Sequence, residues 1–208
     1  MKNITIKKVT VGRISTNCLL VINQETKETI VVDPGDLADK ISEAITKYEC
    51  KPVAILLTHG HFDHIMAVDD IRNKYNIPVY IYEGEEALVG DVVNNHSAKY
   101  GLNYVTKADK TVADNEELDI AGIHMTVMHT PGHTSGSCCY YLPEEAVLIS
   151  GDTLFYETVG RTDLETSNSG DMRNSIDRLL KLPEEVEVYP GHGISTTIGH
   201  EKRNNPFA

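Results

Sequence analysis

Val53 to Leu57 form a short, wholly apolar run, and Thr58-His59-Gly60-His61-Phe62-Asp63-His64 follows it without a break. An apolar run of this length is consistent with a strand buried on both faces. Whatever fold the chain adopts must therefore deliver three imidazoles and a carboxylate together at the end of a buried strand. A single histidine is ordinarily a core or surface residue; four candidate ligands between His59 and His64 are not explained that way. Neutral imidazole and carboxylate are the usual nitrogen and oxygen donors to zinc. A loop lets His59 and His61 converge while Asp63 and His64 face a second position. The motif predicts a metal site.

Around it the chain reads as mixed strands and helices. Ile4 to Val11, Cys18 to Ile22 and Thr29 to Val32 are rich in Val, Ile and Thr and divided by polar turns, which predicts three strands. Asp33-Pro34-Gly35 ends the third. Leu37, Ile41, Ala44, Ile45 and Tyr48 then fall at helical spacing, with Asp36 placed to cap the helix. Beyond the motif, Ile65, Val68, Ile71 and Tyr75 predict a helix and Pro78 to Tyr82 a strand. From Gly84 to Leu118 no period is clean, and the reading is a short helix, a variable loop and one strand near Tyr104. Ile123 to Met128, Ser137 to Leu142 and Ala146 to Ile149 predict strands, Met172 to Leu182 a helix, Val186 to Tyr189 a strand and Thr196 to Arg203 a final helix. Two runs of strands mixed with helices imply an α/β fold, α+β by some schemes, with sheets in the middle. At 208 residues the expectation is one domain over 1–208.

Against 19 basic residues stand 31 acidic ones, a formal net charge of -12. The averaged field repels phosphate backbones and anionic headgroups, so the expected partner is a small-molecule substrate, not nucleic acid or a membrane. The start of the chain, MKNITIKKVTVG, alternates apolar and polar residues without a signal-peptide core. No segment approaches the roughly 20 apolar residues of a membrane span. Cys18, Cys50, Cys138 and Cys139 lack CxxC spacing, and two are adjacent, so neither a disulfide framework nor a cysteine zinc site is expected. A reducing cytoplasm is the expected compartment.

The HxHxDH motif resembles the signature of the metallo-β-lactamase superfamily, and that resemblance implies a further His, an Asp and a last His, each at a strand end. The chain carries His133 in Thr130-Pro131-Gly132-His133-Thr134, Asp152 in Ser150-Gly151-Asp152-Thr153, and His192 in Tyr189-Pro190-Gly191-His192-Gly193. The similarity runs from Asp33-Pro34-Gly35 to beyond His192. It implies a four-layer αββα sandwich with the metal site at one edge of the sheets. It also implies two divalent ions, zinc foremost with iron or manganese as alternatives. His59, His61 and His133 would hold the first ion, Asp63, His64 and His192 the second, and Asp152 would bridge them. Gly60, Gly132, Gly151 and Gly191 flank these positions, where tight turns bring backbone close without a Cβ.

Other residues admit two readings. Asp33 is either a turn former before Pro-Gly or a partner that orients a ligand histidine. Arg161, in Gly160-Arg161-Thr162-Asp163, either binds an anionic substrate or pairs with Asp163 to brace its loop. His96, His124, His129 and His200 match no ligand of the family and read as structural or solvent-facing. Glu201-Lys202-Arg203 reads as a solvated helix face.

Two metals sharing a carboxylate suit hydrolysis of an ester, amide or thioester by a metal-held hydroxide, with Asp63 as a catalytic group that orients the water or takes its proton. No GxSxG element is present and no cysteine accompanies the histidine motifs. HxHxDH, TPGHT, GRTD and PGHG together most resemble the glyoxalase II-like hydrolases, which implies a hydroxyacyl thioester substrate such as S-lactoylglutathione. The alternatives are a mononuclear iron persulfide dioxygenase, against which the Pro-Gly-His-Gly segment argues, and a lactonase. Sixteen residues follow His192 in the 208-residue sequence, with Lys202 and Arg203 as the nearby cations. The thiol carrier is therefore expected to be gripped weakly.

Overall fold

The Val-, Ile- and Thr-rich start of the chain folds as an antiparallel meander of β1 (Ile4–Val11), β2 (Thr16–Asn23) and β3 (Glu28–Val32) in the computed structural model, which describes residues 3–208. Met1 and Lys2 of the expected domain lie outside the described residues. From β3 onward the sheet is parallel. Helix α1 (Ala38–Lys47) leads to β4 (Lys51–Leu56), and α2 (Phe62–Ile65) and α3 (Val68–Tyr75) lead to β5 (Val79–Tyr82). A long excursion with α4 (Glu86–Val89) then reaches β6 (Lys110–Val112). The second sheet opens with an antiparallel run of β7 (Glu117–Ile120), β8 (Ile123–His129), β9 (Cys138–Leu142) and β10 (Val147–Gly151). After the small hairpin β11 (Leu154–Phe155) and β12 (Thr158–Val159), helix α5 (Ser169–Leu179) sets β13 (Glu187–Pro190) parallel to β10. Strand β14 (Thr196–Thr197) and helix α6 (Ile198–Asn204) follow. The sheet orders are β1-β2-β3-β4-β5-β6 and β14-β13-β10-β9-β8-β7.

Three apolar layers hold these elements. Between the sheets, Leu19, Val21, Ile30 and Leu56 meet Met125, Val127, Tyr140 and Ile149. Alternate residues of the same strands face outward, because successive side chains of a strand point to opposite faces. Leu20, Val31 and Ile55 pack with Ile41 and Ile45 of α1 and Ile71 of α3, whereas Cys139, Leu148 and Val188 pack with Met172, Ile176 and Leu179 of α5. Both faces of each sheet are thus covered, which is why β2 is buried at every position. The result is the αββα sandwich. No helix among the described residues is long and apolar enough to cross a membrane.

Several local expectations are corrected. Asp36 does not cap α1: the residue before the helix is Leu37, in the left-handed region at φ 51°, and Asp36 accepts only the Leu37 N–H. The helix expected from Ile65 to Tyr75 is two helices, because the Ala67 N–H donates to Pro34 O at 2.9 Å instead of continuing α2. No strand forms at Tyr104. Its N–H goes to Ser97 Oγ and its carbonyl to Asn95 Nδ2 and Ser97 Oγ, so side chains have taken the groups a ladder needs. The strands β6 and β7 lie later instead. The expected terminal helix begins only at Ile198, after β14. Glu201 is wholly buried, not solvated: it accepts from Thr196 Oγ1, Glu157 N–H and Asn205 Nδ2.

Candidate metal centre

Strand direction explains how residues spread from 33 to 192 meet. Strands β3 and β4 are parallel, β8 and β10 are each antiparallel to β9 and so run the same way, and β13 is parallel to β10. Asp33 follows β3, the His59–His64 segment follows β4, His133 follows β8, Asp152 follows β10 and His192 follows β13. All seven expected ligands therefore emerge at carboxyl ends of strands along one edge. The two sheets are tied there. Tyr140 Oη donates to Leu57 O at 2.9 Å, Cys138 N–H to Thr58 O at 2.9 Å, and Asn17 N–H to Gly191 O at 2.7 Å. Gly191 has a steric reason, since a Cβ would sit 2.2 Å from Asp152 Oδ1 and 2.7 Å from His64 Cε1.

Among the described residues the side chains converge as three groups: His59 with His61 and His133, Asp63 with His64 and His192, and His59 with His64 and Asp152, which overlaps the other two. In the second, Asp63 Oδ2 lies 3.5 Å from His64 Nε2 and 3.2 Å from His192 Nε2, and the two Nε2 atoms are 3.4 Å apart. Donors about 2.0 to 2.1 Å from one ion at tetrahedral angles stand roughly 3.3 Å apart. The triangle is one face of such a tetrahedron. Asp152 spans the groups, with Oδ1 3.4 Å from His64 Nε2 and Oδ2 3.4 and 3.6 Å from His192 and His133 Nε2. His59 Nε2, His61 Nε2 and Asp152 Oδ1 are buried and have no hydrogen-bond partner among the described residues. Orphaned buried polar atoms are costly unless something meets them; a cation here would meet His59 Nε2 and Asp152 Oδ1, and would take His61 through Nδ1, which lies 2.9 Å from His133 Nε2. The residues fit a divalent pair.

Electrostatics point the same way. Burial, with His64 and His61 alongside, holds His59 well below the usual imidazole range, and burial with His133 does so for His61. Both rings are neutral and offer a lone pair. Burial opposes charge on Asp63, but His64 and His192 outweigh it and bring its carboxyl down to about 2. Asp152 is held well below the carboxylate range against its burial by the same two imidazoles. Reciprocally, and against burial, Asp63, Asp152 and Asp33 push His64 up, and hydrogen bonds to Asp152 and Asp63 push His192 up to about 9. The carboxylates demand positive charge at this point, which a divalent ion supplies while leaving the imidazoles neutral.

A supporting set orients the ligands. Asp33 meets both of its readings: it turns the chain at φ 48° before Pro34, and its Oδ2 lies 2.9 Å from His64 Nδ1 and accepts from Thr58 Oγ1, while Oδ1 accepts the Thr58 N–H. His133 Nδ1 donates to the backbone carbonyl of Arg161 at 2.9 Å. The Arg161 guanidinium forms a two-pronged pair with Asp163, at 2.7 and 2.8 Å, on the rim of the cleft. Thr16, Asn17 and Glu85 escaped the sequence reading, which takes His96 only as structural or solvent-facing. Thr16 Oγ1 donates to Asp63 Oδ2 at 2.8 Å, and Asn17 Nδ2 donates to the carbonyls of Pro190 and Gly193 around His192. Glu85 Oε1 accepts the Gly60 N–H between the candidate ligands His59 and His61. His96 is buried and lines the cleft, its ring 4.9 Å from that of His61. Only proximity in space identifies them. His124, His129 and His200 lie away from the cluster, held by Glu117 and Asp119, by Tyr82 and Ser135, and by Glu157. Lys202 and Arg203 do not reach the cleft either, bonding to Leu182 O and Glu184.

Residues 11–192 match the family described as the metallo-beta-lactamase superfamily. The chain is 30% identical to the hydroxyacylglutathione hydrolase GloC of Haemophilus influenzae, over 97% of each protein. It superposes on the BLEG-1 B3 metallo-beta-lactamase with a TM-score of 0.94 at 40% identity, covering 98% of this chain and 99% of that one. For TTHA1623 in a di-iron-bound form the TM-score is 0.85 at 36% identity, covering 97% and 100%.

Proposed function

The chain belongs to the metallo-β-lactamase superfamily, and from that premise we propose that it is a binuclear metallohydrolase that cleaves a hydroxyacyl thioester, of which S-lactoylglutathione is the first candidate. The observation that carries the metallohydrolase reading is the pair of orphaned, buried atoms His59 Nε2 and Asp152 Oδ1, with His61 Nδ1 2.9 Å from His133 Nε2, beside the tetrahedral face of Asp63, His64 and His192. His59, His61 and His133 would hold one ion, Asp63, His64 and His192 the other, and Asp152 both. Bound divalent ions supply Lewis acidity toward a carbonyl and acidify water near neutral pH. Zinc suits this nitrogen and oxygen donor set, with iron and manganese as the alternatives.

The chain's own groups supply orientation. Asp33 and the Arg161 carbonyl fix the tautomers of His64 and His133, so that each presents Nε2 to the cluster. Asp63, kept ionised and anchored by Thr16, is an acceptor poised to orient the attacking water or take its proton. Support for the thioester comes from the similarity to GloC. The test is turnover of S-lactoylglutathione by zinc-loaded protein without oxygen, with a β-lactam, a lactone and glutathione persulfide as competing substrates. Anaerobic thioester cleavage is expected. Oxygen consumption on the persulfide by iron-loaded protein, without thioester cleavage under any metal, would replace this reading with a dioxygenase.

A further inference from the structure

Two cavities meet at the metal cleft. One, of about 240 Å³, lies over the cluster and is walled by His61, Asp63, His133, Asp152 and His192. The other, of about 260 Å³, shares Ile14, Phe62, Asp63 and Tyr100 with it and continues to Met66 and Leu102. They are two parts of one trough. The second part is apolar and open: Ile14, Tyr100 and Leu102 are 41, 52 and 44% exposed, and the Tyr100 ring lies 4.5 Å from that of Phe62. Scattered exposed apolar residues are ordinary, but a contiguous set lining a cavity marks a binding surface.

The charges around this trough give an anionic arm no clamp. With Asp63 engaged as a ligand of a divalent ion, the second cavity keeps one acid, Asp36, and one cation, Arg13, and so no net positive charge. On the cluster side, Lys99 and Arg161 are each paired, with Glu165 and Asp163. A peptide carrier such as glutathione, with two carboxylates, would find no excess of cations here to hold them.

We infer that the second cavity is a substrate subsite for an uncharged alkyl or aryl substituent, carried by a thioester whose carbonyl lies over the metal cluster. This inference rests on the hydrolase reading and, within it, puts apolar thioesters ahead of S-lactoylglutathione as the preferred substrates. The chemistry of the lining is the same for a substituent on the acyl side or on the sulfur side of the carbonyl.

The experiment separates the two sides. With the metal-loaded full chain, kcat/KM is measured along an acyl series (acetyl, hexanoyl, phenylacetyl) on one small neutral thiol, and along a thiol series (ethyl, hexyl, benzyl) with acetyl held constant. Each methylene withdrawn from water is worth up to roughly fourfold, so one series should rise by at least about tenfold, and the rising series names the side. Ile14→Asp and Leu102→Asp, at exposed positions that leave the core intact, should bring the longest-to-shortest ratio back toward one. Binding gives a second readout that needs no turnover: methyl NMR signals of Ile14 and Leu102 should shift on titration with hexanoate or phenylmethanethiol. Flat series with unmoved methyls overturn the subsite. Moved methyls without hydrolysis of any thioester keep the subsite and overturn the thioesterase reading. A preference of a hundredfold or more for the glutathione thioester over apolar thioesters of the same acyl group also overturns it.

Discussion

The carboxylate of Asp33 and the imidazole of His64 face each other at 2.9 Å, Oδ2 to Nδ1, and both are buried. The contact sets which nitrogen of His64 carries the proton and leaves Nε2 toward Asp63, Asp152 and His192.

Asp33→Asn is therefore expected to weaken metal binding by about 10- to 100-fold, the usual effect of losing a group that orients a ligand. Asp33→Ala should also lower stability by about 1 to 3 kcal/mol, because the Thr58 N–H loses a buried acceptor. Competition with a chromophoric chelator measures the first effect and denaturant unfolding the second. Unchanged affinity in Asp33→Asn would mean that His64 needs no orienting partner.

Asp152 is the one carboxylate within reach of His64, His133 and His192 together. Asp152→Ala should lose metal from both positions, since both ions lose a ligand and stand less screened from each other. Asp63→Ala should chiefly empty one. Metal-to-protein ratios decide this, and full occupancy in Asp152→Ala would sink the bridging assignment.

For Arg161 the backbone carbonyl touches His133 while the guanidinium pairs with Asp163 at an exposed rim. Alanine retains the carbonyl, and exposed ion pairs are worth about 0 to 1 kcal/mol. Arg161→Ala should accordingly change thioester kcat/KM by less than roughly fivefold, about 1 kcal/mol. A loss of a hundredfold or more would show that the guanidinium grips the substrate directly.

Glu85 gives a pH signature to stability. Burial pushes its carboxyl from an ordinary 4.5 up to about 7 in the folded chain. The folded state thus binds this proton more tightly than the unfolded one. The associated stability is fully present below about pH 4.5 and is lost as pH rises through about 7. Two and a half pH units correspond to on the order of 3 kcal/mol. Glu85→Gln, a neutral isostere that can still accept the Gly60 N–H, should escape this loss. In chelator, its unfolding free energy minus that of the parent should grow between pH 4.5 and 7.5; a pH-independent difference would contradict the assignment.

Short-range chemistry is what the sequence by itself determined. The apolar run before Thr58 and the ligand-type residues from His59 to His64 announce themselves locally, because strand burial and donor identity are properties of a few adjacent residues, whereas His133, Asp152 and His192 stand out only through the family resemblance that this motif carries. Most strands and helices followed from the same periodicities. Where side chains outcompeted the backbone, as around Tyr104, or where a distant carbonyl interrupted a helix, as Pro34 does at Ala67, periodicity carried no signal. The tertiary structure decided the rest: that β3, β4, β8, β10 and β13 end along one edge, that Thr16 reaches Asp63 across 47 positions, that Glu201 is buried, and that the Arg161 backbone carbonyl bonds a candidate ligand histidine. Such contacts join residues far apart in the chain, and nothing in either residue's neighbourhood records its partner. They exist only once sheet order and strand direction have brought the two into reach.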